Sequence, residues 1–418
     1  FILDAKKWSD NKTSPDFSKT VLIIDEASMV SNRNMLSVLK IGHEVNVRAI
    51  VPTGDTQQNP SIESGKPHDL IQRKLEDTTI HLEDIQRQKN DVLKEAVKAI
   101  YQNNVAKTFT ALGDAIIEIN EKMMSDPSDK KLTPDELSQK YYQKRIETIA
   151  KDYVDLLGKG ENVQIISPSH AERKAINAEV RTQLTQLNKL QGQTHDFAIL
   201  STKDMTGVEK SKATHFQTGQ IIRFTTGFGT EIKAGDYFTI TDIKKDHNLL
   251  TLTKTATDKK IFWQVPKSHD RINNKVEVFQ QEDRQLKLGD RIIWTRTNRK
   301  EDLLSTDVGM VTHIEKHAIT IKRQDGSTFT FNPREQKYQH WDHAYAITTY
   351  GSQGGTYSTI LALFESYRHK LMNIKNLLVT ITRPENTLRL YTDNKANLER
   401  TIQQNSGDKQ SSLEVIGQ

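Results

Sequence analysis

The chain has 418 residues, 35% of them hydrophobic and 27% charged, with no cysteine and a formal net charge of +5. This composition excludes disulfides and thiolate metal sites, fits a reducing compartment, and belongs to a globular chain of about two to three domains rather than a disordered one. No run approaches the ~18 apolar residues of a membrane span and no secretory signal opens the chain, so a soluble cytoplasmic protein is expected, and the small net charge leaves nucleic-acid binding to local clusters.

Residues 1–19 read as a short helix and a turn-rich connection, and the domain-interior texture at Phe1 suggests a piece of something longer. Residues 21–30, VLIIDEASMV, then set four apolar residues in a buried-strand pattern that stops at Asp25 and Glu26. Open α/β sheets bind ligands beyond the carboxyl ends of their strands. In a nucleotide hydrolase the first acid would hold Mg²⁺ through its water shell and the second would orient the attacking water. The other reading is that both acids only begin a helix, whose positive end favours them.

A helical pattern follows, with Met35, Leu36, Val38, Leu39 and Ile41 on one face and an end near Gly42. A second strand is expected over 45–51, which makes a βαβ unit with parallel strands. Its loop, Gly54-Asp55-Thr56-Gln57-Gln58, would then lie beside Asp25 and Glu26, either as a plain turn or as a ligand loop. There the glycine admits close approach and the Gln58 amide can both donate and accept.

Further on, Arg87 in HLEDIQRQ precedes a helix through Val97 and Ile100. It is either a solvated helix residue or one that reaches a γ-phosphate. Residues 121–135 read as an exposed, mobile loop, and TPDEL at Thr133 as a capped helix start. A third strand is expected over 163–166, then the loop SPSHAER and a helix beginning near Ala175 and Ile176, with Arg173 and Asn177 near its start.

From about 216 to 331, short alternating runs separated by glycine or Asp/Asn turns have the texture of a small β-barrel, inserted as one or two modules. Inside it, RQLKLGDRIIWTRTNRK gathers Arg284, Lys287, Arg291, Arg296, Arg299 and Lys300 against the single acid Asp290. That is a candidate phosphate groove, in which Trp294 is either a stacking platform or core. The chain then returns to α/β texture. AYAITTYGSQGGT over 344–356 is followed by a strand at 360–364, a helical piece over 367–374, a strand LLVTI at 377–381, Thr382-Arg383, a strand at 388–392 and a polar tail. An arginine released at the end of a buried strand is placed for phosphate contact across a cleft.

Taken in order, DEASMV, GDTQQ, the QRQ arginine, AYAITTYGSQGGT and TITR resemble motifs of superfamily 1 helicases of the RecD-like branch, and more narrowly the helicase region of TraI/TrwC-type conjugative relaxase-helicases. The resemblance implies two RecA-like P-loop NTPase motor domains, the first truncated, with an inserted SH3-like small β-barrel module. Residues 1–80 would be the remnant of the first motor domain, 81–205 with 340–402 the second, 206–339 the insert and 403–418 the tail. It implies ATP and Mg²⁺ as cofactors and single-stranded DNA as partner, with relaxosome and type IV secretion components reached through the full-length protein.

Carried over residue by residue, Asp25 would be the Mg²⁺-side acid, Glu26 the catalytic base, Gln58 the γ-phosphate sensor beside Gly54 and Asp55, and Arg87 and Arg383 the arginine fingers. Thr348, Ser352, Gln353 and Gly354 would touch single-stranded DNA together with Tyr350, which stands where the family often has histidine. Arg291, Trp294, Arg296 and Arg299 complete the expected DNA contacts. No G-x-x-x-x-G-K-[ST] run occurs in the 418 residues, so the resemblance implies a helicase fragment that hydrolyses little ATP by itself. The other readings are a non-catalytic single-stranded DNA-binding module and a RecD-like repair helicase.

Overall fold

A computed structural model describes residues 17–408 apart from 62, 64, 83, 121, 123–125, 256 and 268–274. The short helix expected before residue 17 and the end of the polar tail lie outside the described residues. The described residues form two compact units, one from the two ends of the chain, up to Gln183 and from Ala346, and one from Leu184–Tyr345.

The first unit opens with the βαβ step the spacing predicts. Val21–Ile24 and Ala49–Pro52 pair in parallel, joined by the helix Asn32–Glu44. Ser31 starts that helix by accepting the Asn34 N–H on its hydroxyl, and Met35, Val38 and Ile41 form its buried face. The second strand begins four residues later than its apolar run, because Val45 still bonds to Ile41 and Asn46 turns the chain with φ 56°. One expectation fails: the strand is not buried, since Val21 and Ile23 are 46% and 65% exposed. Among the described residues this sheet has only two strands. A short apolar run reports a preference for burial, and a covering layer must supply it.

The second sheet of this unit is parallel throughout, in the order Ala346–Ile347, Val163–Ile166, Tyr357–Leu363, Pro384–Thr392, Ile116–Glu118. Helices flank it, among them Pro134–Gly158, which starts at Thr133 with a capping box and Pro134 in its first turn, as TPDEL predicts. The helix His170–Gln186 begins earlier than its apolar pattern and includes Arg173. Within the expected 121–135 loop, Pro127–Lys131 forms a short 3₁₀ turn capped by Asp126.

The run LLVTI requires a correction. It is not a strand but the core of the helix Ile374–Ile381, and the residues 367–373 ahead of it form turns. The strand position beside Tyr357–Leu363 belongs to Pro384–Thr392, so the segment between these parallel strands is the crossover, which a helix makes. Asn373 caps it by accepting the Asn376 N–H at 2.8 Å. Every residue from Lys375 to Ile381 is buried, and all-round burial erases the period that separates helix from strand.

The second unit holds two antiparallel sheets. One runs in the order Gln191–Thr202, Val276–Leu288, Ile221–Phe224, Tyr237–Lys244, Leu249–Lys254, Lys260–Gln264, and the other Thr328–Phe331, Ile319–Arg323, Val308–Ile314, Arg291–Trp294, Trp341–His343. Each has its own apolar cluster, around Phe224, Phe238 and Trp263 in the first and Trp294, Phe331 and Trp341 in the second. The strand Gln191–Thr202 escapes the sequence pattern because its first half is polar and exposed. Among the described residues no helix is long and apolar enough to cross a membrane.

Candidate active site

Asp25 and Glu26 stand at the carboxyl end of the first strand, as an α/β sheet presents ligand groups. Asp25 Oδ1 accepts the Glu26 N–H at 2.9 Å and the Thr53 hydroxyl at 3.3 Å. Thr53 also bonds through its backbone to Ile24 and Ala27, so the loops after the two strands are knitted together. Glu26 has φ 49° and ψ 42°, the left-handed region. A non-glycine residue there costs about 1–2 kcal/mol, a strain that collects at functional sites. Gly54 passes so close that a Cβ on it would lie 2.9 Å from the Ala27 nitrogen, which explains the glycine.

The GDTQQ loop is held from the far side by the second sheet of the same unit. Asp55 Oδ1 takes the Gln57 N–H, while its Oδ2 accepts from Gln58 Nε2 at 2.9 Å and from the Tyr101 hydroxyl at 2.6 Å. Gln58 Oε1 in turn accepts from Arg383 Nη2 at 3.3 Å. Arg383 is 2% exposed and sits between the buried helix and the strand that begins at Pro384. Arg87 donates to the Thr382 carbonyl at 2.9 Å, and Gln88 donates to the same carbonyl and to that of Pro384. Burial, helped by the positive Arg87, lowers the Arg383 guanidinium to about 10, while Glu26 pulls the other way. Two guanidinium groups thus lie beside Thr382, with Arg383 within electrostatic reach of Glu26, a set suited to a polyanion.

Two further residues, Lys375 and Asn376, belong to this network without being among the expected site residues. Lys375 Nζ lies 3.0, 3.4 and 3.3 Å from the carbonyls of Thr56, Gln57 and Gln58, and 3.1 Å from Asp408. Asn376 Oδ1 accepts from Thr349 at 2.8 Å and from Asn59 at 3.3 Å, joining the GDTQQ side to the loop that follows Ala346–Ile347. Reading LLVTI as a strand hid both. A polar pair at the second and third helical positions after an N-cap asparagine is the signal that could have found them.

The glycine-rich loop at 348–354 is built partly for itself. Thr348 Oγ1 accepts the Gly351 N–H, and the buried Ser352 hydroxyl donates to the Thr349 carbonyl. Tyr350 is half-buried, and burial raises its hydroxyl above the usual phenol range. Gln353 is different: both ends of its amide are shielded, and neither has a hydrogen-bond partner. Such an amide at a loop tip, next to exposed Gly354 with φ 76°, is a group awaiting a partner.

In the second unit the expected basic patch is thinner than its sequence. Arg284 pairs with Glu282 and Asp342, and Arg296 with Glu277 at 3.1 Å. Asp290 is buried and accepts the Tyr345 hydroxyl. Arg291 is half-buried, whereas Arg299 and Lys300 are exposed. Trp294 is corrected from a stacking platform to core: it is 2% exposed and packs edge-on to Phe331 at 5.0 Å. In a strand the side chains alternate faces, and Trp294 falls on the inner one with Ile292.

The donor set fits Mg²⁺ only in a limited way. Among the described residues no three metal-ligating side chains converge, so Asp25 would hold the ion through water, with phosphate oxygens completing the shell, as this ion is commonly bound.

An AAA domain model matches residues 5–119. The multifunctional conjugation protein TraI of Escherichia coli strain K12 is 24% identical over 423 residues, covering 94% of this chain. The chain resembles the TraI/RecD-like superfamily 1 helicase region. It spans 23% of the length of TraI, and a second TraI from Escherichia coli matches at 22% identity over the same share. Among solved structures, the Pif1 helicase from Bacteroides in complex with ADP-AlF3 and ssDNA aligns with 95% of this chain and 74% of its own at 13% identity and a TM-score of 0.46. Pif1 helicase from Candida albicans aligns at 14% identity and a TM-score of 0.37, over 95% of this chain and 79% of its own.

Proposed function

We propose that this chain is part of an ATP-dependent DNA helicase or translocase acting on single-stranded DNA, and that it corresponds to the helicase region of a conjugative relaxase. The observation that carries the reading is the contact from Gln58 to Arg383, with Asp25 and Glu26 at the strand end beside the same loop. It joins the loop of one parallel sheet to an arginine of the other, the arrangement in which a polyphosphate would be gripped from both sides.

In this reading Asp25 would hold Mg²⁺ through water, and Glu26 would accept the proton of the attacking water. Gln58, Arg87 and Arg383 meet the terminal phosphate, with Gly54 and Asp55 shaping the loop. ATP bound with Mg²⁺ would supply the cleavable phosphoanhydride. Thr348, Tyr350, Ser352, Gln353 and Gly354 form the loop that meets single-stranded DNA, and Asn376 ties that loop to the GDTQQ side. Arg291, Arg296 and Arg299 belong to the inserted module, of which Arg299 has the most accessible charge. The proposed partition gives residues 1–80 to a first RecA-like motor domain and the rest of the first unit to a second, with the SH3-like insert widened from the expected 206–339 to Leu184–Tyr345, because Gln191–Thr202 and Trp341–His343 pair within its sheets. Relaxosome and type IV secretion partners would be reached through the larger protein.

The 418 residues contain no phosphate-cradling G-x-x-x-x-G-K-[ST] run, so this chain alone is expected to hydrolyse little ATP. That feature also supports the second reading, a non-catalytic single-stranded DNA-binding module. Binding of a fluorescent oligo-dT, with and without Mg²⁺ and a non-hydrolysable ATP analogue, separates the two. A motor piece binds DNA in a salt-dependent way and changes that affinity with the nucleotide. A module binds DNA with no nucleotide effect, and no binding at low salt rejects both.

A further inference from the structure

We infer that Tyr101 is a positioning residue for Gln58 and, through it, for Arg383. The inference rests on the proposed nucleotide site and adds to it a residue that touches no phosphate.

The chemistry of Gln58 sets the problem. Its amide has a donating end and an accepting end of nearly equal shape. Asp55 offers only acceptors when ionised, and Arg383 offers only donors. Gln58 therefore satisfies both neighbours in one orientation, with Nε2 on Asp55 at 2.9 Å and Oε1 facing Arg383 Nη2 at 3.3 Å. A flipped amide would set N–H against guanidinium and lone pair against carboxylate, losing both bonds. The orientation is fixed only as far as Asp55 is fixed.

Asp55 is fixed by Tyr101. The Asp55 Oδ2 that receives Gln58 also receives the Tyr101 hydroxyl, at 2.6 Å, while Oδ1 is taken by the Gln57 backbone. Tyr101 ends the helix Asp91–Tyr101, which packs on Ile374–Ile381 and so moves with Arg383. Asp55 and Gln58 ride on the loop of the other sheet. The tyrosine bond is thus a second tether across the same gap that Gln58 spans, and it sets the distance Gln58 has to reach. Burial and the adjacent carboxylate hold the Tyr101 hydroxyl well above the usual phenol range, so it remains a donor throughout the working pH range. Lys375 anchors the loop backbone independently, through three carbonyls. A phosphate oxygen can then take Gln58 Oε1's place on Arg383 while the loop stays where Tyr101 holds it.

Phenylglyoxal modification of Arg383 in the full chain, followed by peptide mass spectrometry, reads this arrangement without requiring catalysis. Gln58→Ala should raise the Arg383 rate roughly tenfold, the size of one hydrogen bond to a charged group. Tyr101→Phe should raise it at least ~3-fold with the melting temperature held within about 2 °C, and with the rate at buried Arg145 unchanged. Asp55→Asn, which lets either end of the Gln58 amide face it, should give the same rise and serves if Tyr101→Phe fails to fold. An Arg383 rate at the wild-type value in Tyr101→Phe overturns the inference, as does a rise shared by Arg145, which would report general loosening. Adding Mg²⁺ and a non-hydrolysable ATP analogue to the wild type should protect Arg383. Failure of that arm alone counts against the nucleotide site and leaves the positioning role standing.

Discussion

Glu365 gives the most quantitative test of the packing. It follows the strand Tyr357–Leu363 and is 1% exposed; Oε1 accepts Arg145 Nε at 2.8 Å and Oε2 has no partner. Burial pushes its carboxyl from 4.5 to about 7, with Asp393 and Glu172 adding to the rise and Arg145 opposing it. The folded state therefore holds this proton more tightly than the unfolded chain does. The linked stability is fully present below pH ~4.5 and is lost as pH rises through ~7. At about 1.4 kcal/mol per pH unit, the linkage amounts to about 3 kcal/mol. Glu365→Gln keeps the shape and an oxygen for Arg145 but cannot titrate. Removing the carboxylate also changes stability by a constant offset, so the informative quantity is the slope. Urea unfolding followed by tryptophan fluorescence from pH 5.5 to 8.5 should show the wild type losing about 2 kcal/mol relative to the variant, the part of the linkage that lies above pH 5.5. Groups that do not interact with Glu365 titrate equally in both proteins and cancel. Two parallel curves, within about 0.5 kcal/mol, would refute the buried-carboxylate account.

Glu26→Gly should stabilise the chain by about 1 kcal/mol in the same unfolding assay, because glycine accepts the left-handed backbone, while removing the carboxylate proposed as base. A loss of stability would mean that the Glu26 side chain holds the turn. Lys375→Met should cost about 2–4 kcal/mol, since the buried ammonium serves three carbonyls, and should weaken any nucleotide effect on oligonucleotide binding. A cost under ~0.5 kcal/mol would show that the GDTQQ loop does not depend on it. Trp294→Ala should destabilise by about 3–5 kcal/mol as a core cavity, whereas Arg299→Glu should leave stability within ~0.5 kcal/mol and weaken oligo-dT binding at low salt. Unchanged DNA affinity in Arg299→Glu would remove Arg299 from the DNA surface.

Much of this chain is legible in its sequence because some signals are local. A strand that stops at two acids, a glycine where the backbone must pass within van der Waals distance, and a threonine-proline start with a glutamate three residues on each act over a few residues. All of these are found where the pattern puts them. Their order along the chain also carries the resemblance to TraI, which the comparison over 94% of the chain supports. Burial and partnership are not local. The apolar run at Val21–Ile24 is exposed for want of a covering layer, while LLVTI, equally apolar, is a helix because the neighbouring strand position is already filled. The basic patch at 284–300 loses Arg284 and Arg296 to acids on other strands, and Trp294 turns inward. Residue types and spacings determined which chemistry the chain can offer. Only the tertiary structure decided which of those groups meet, because a contact such as Gln58 to Arg383 joins positions 325 residues apart and depends on how two sheets and a buried crossover helix pack.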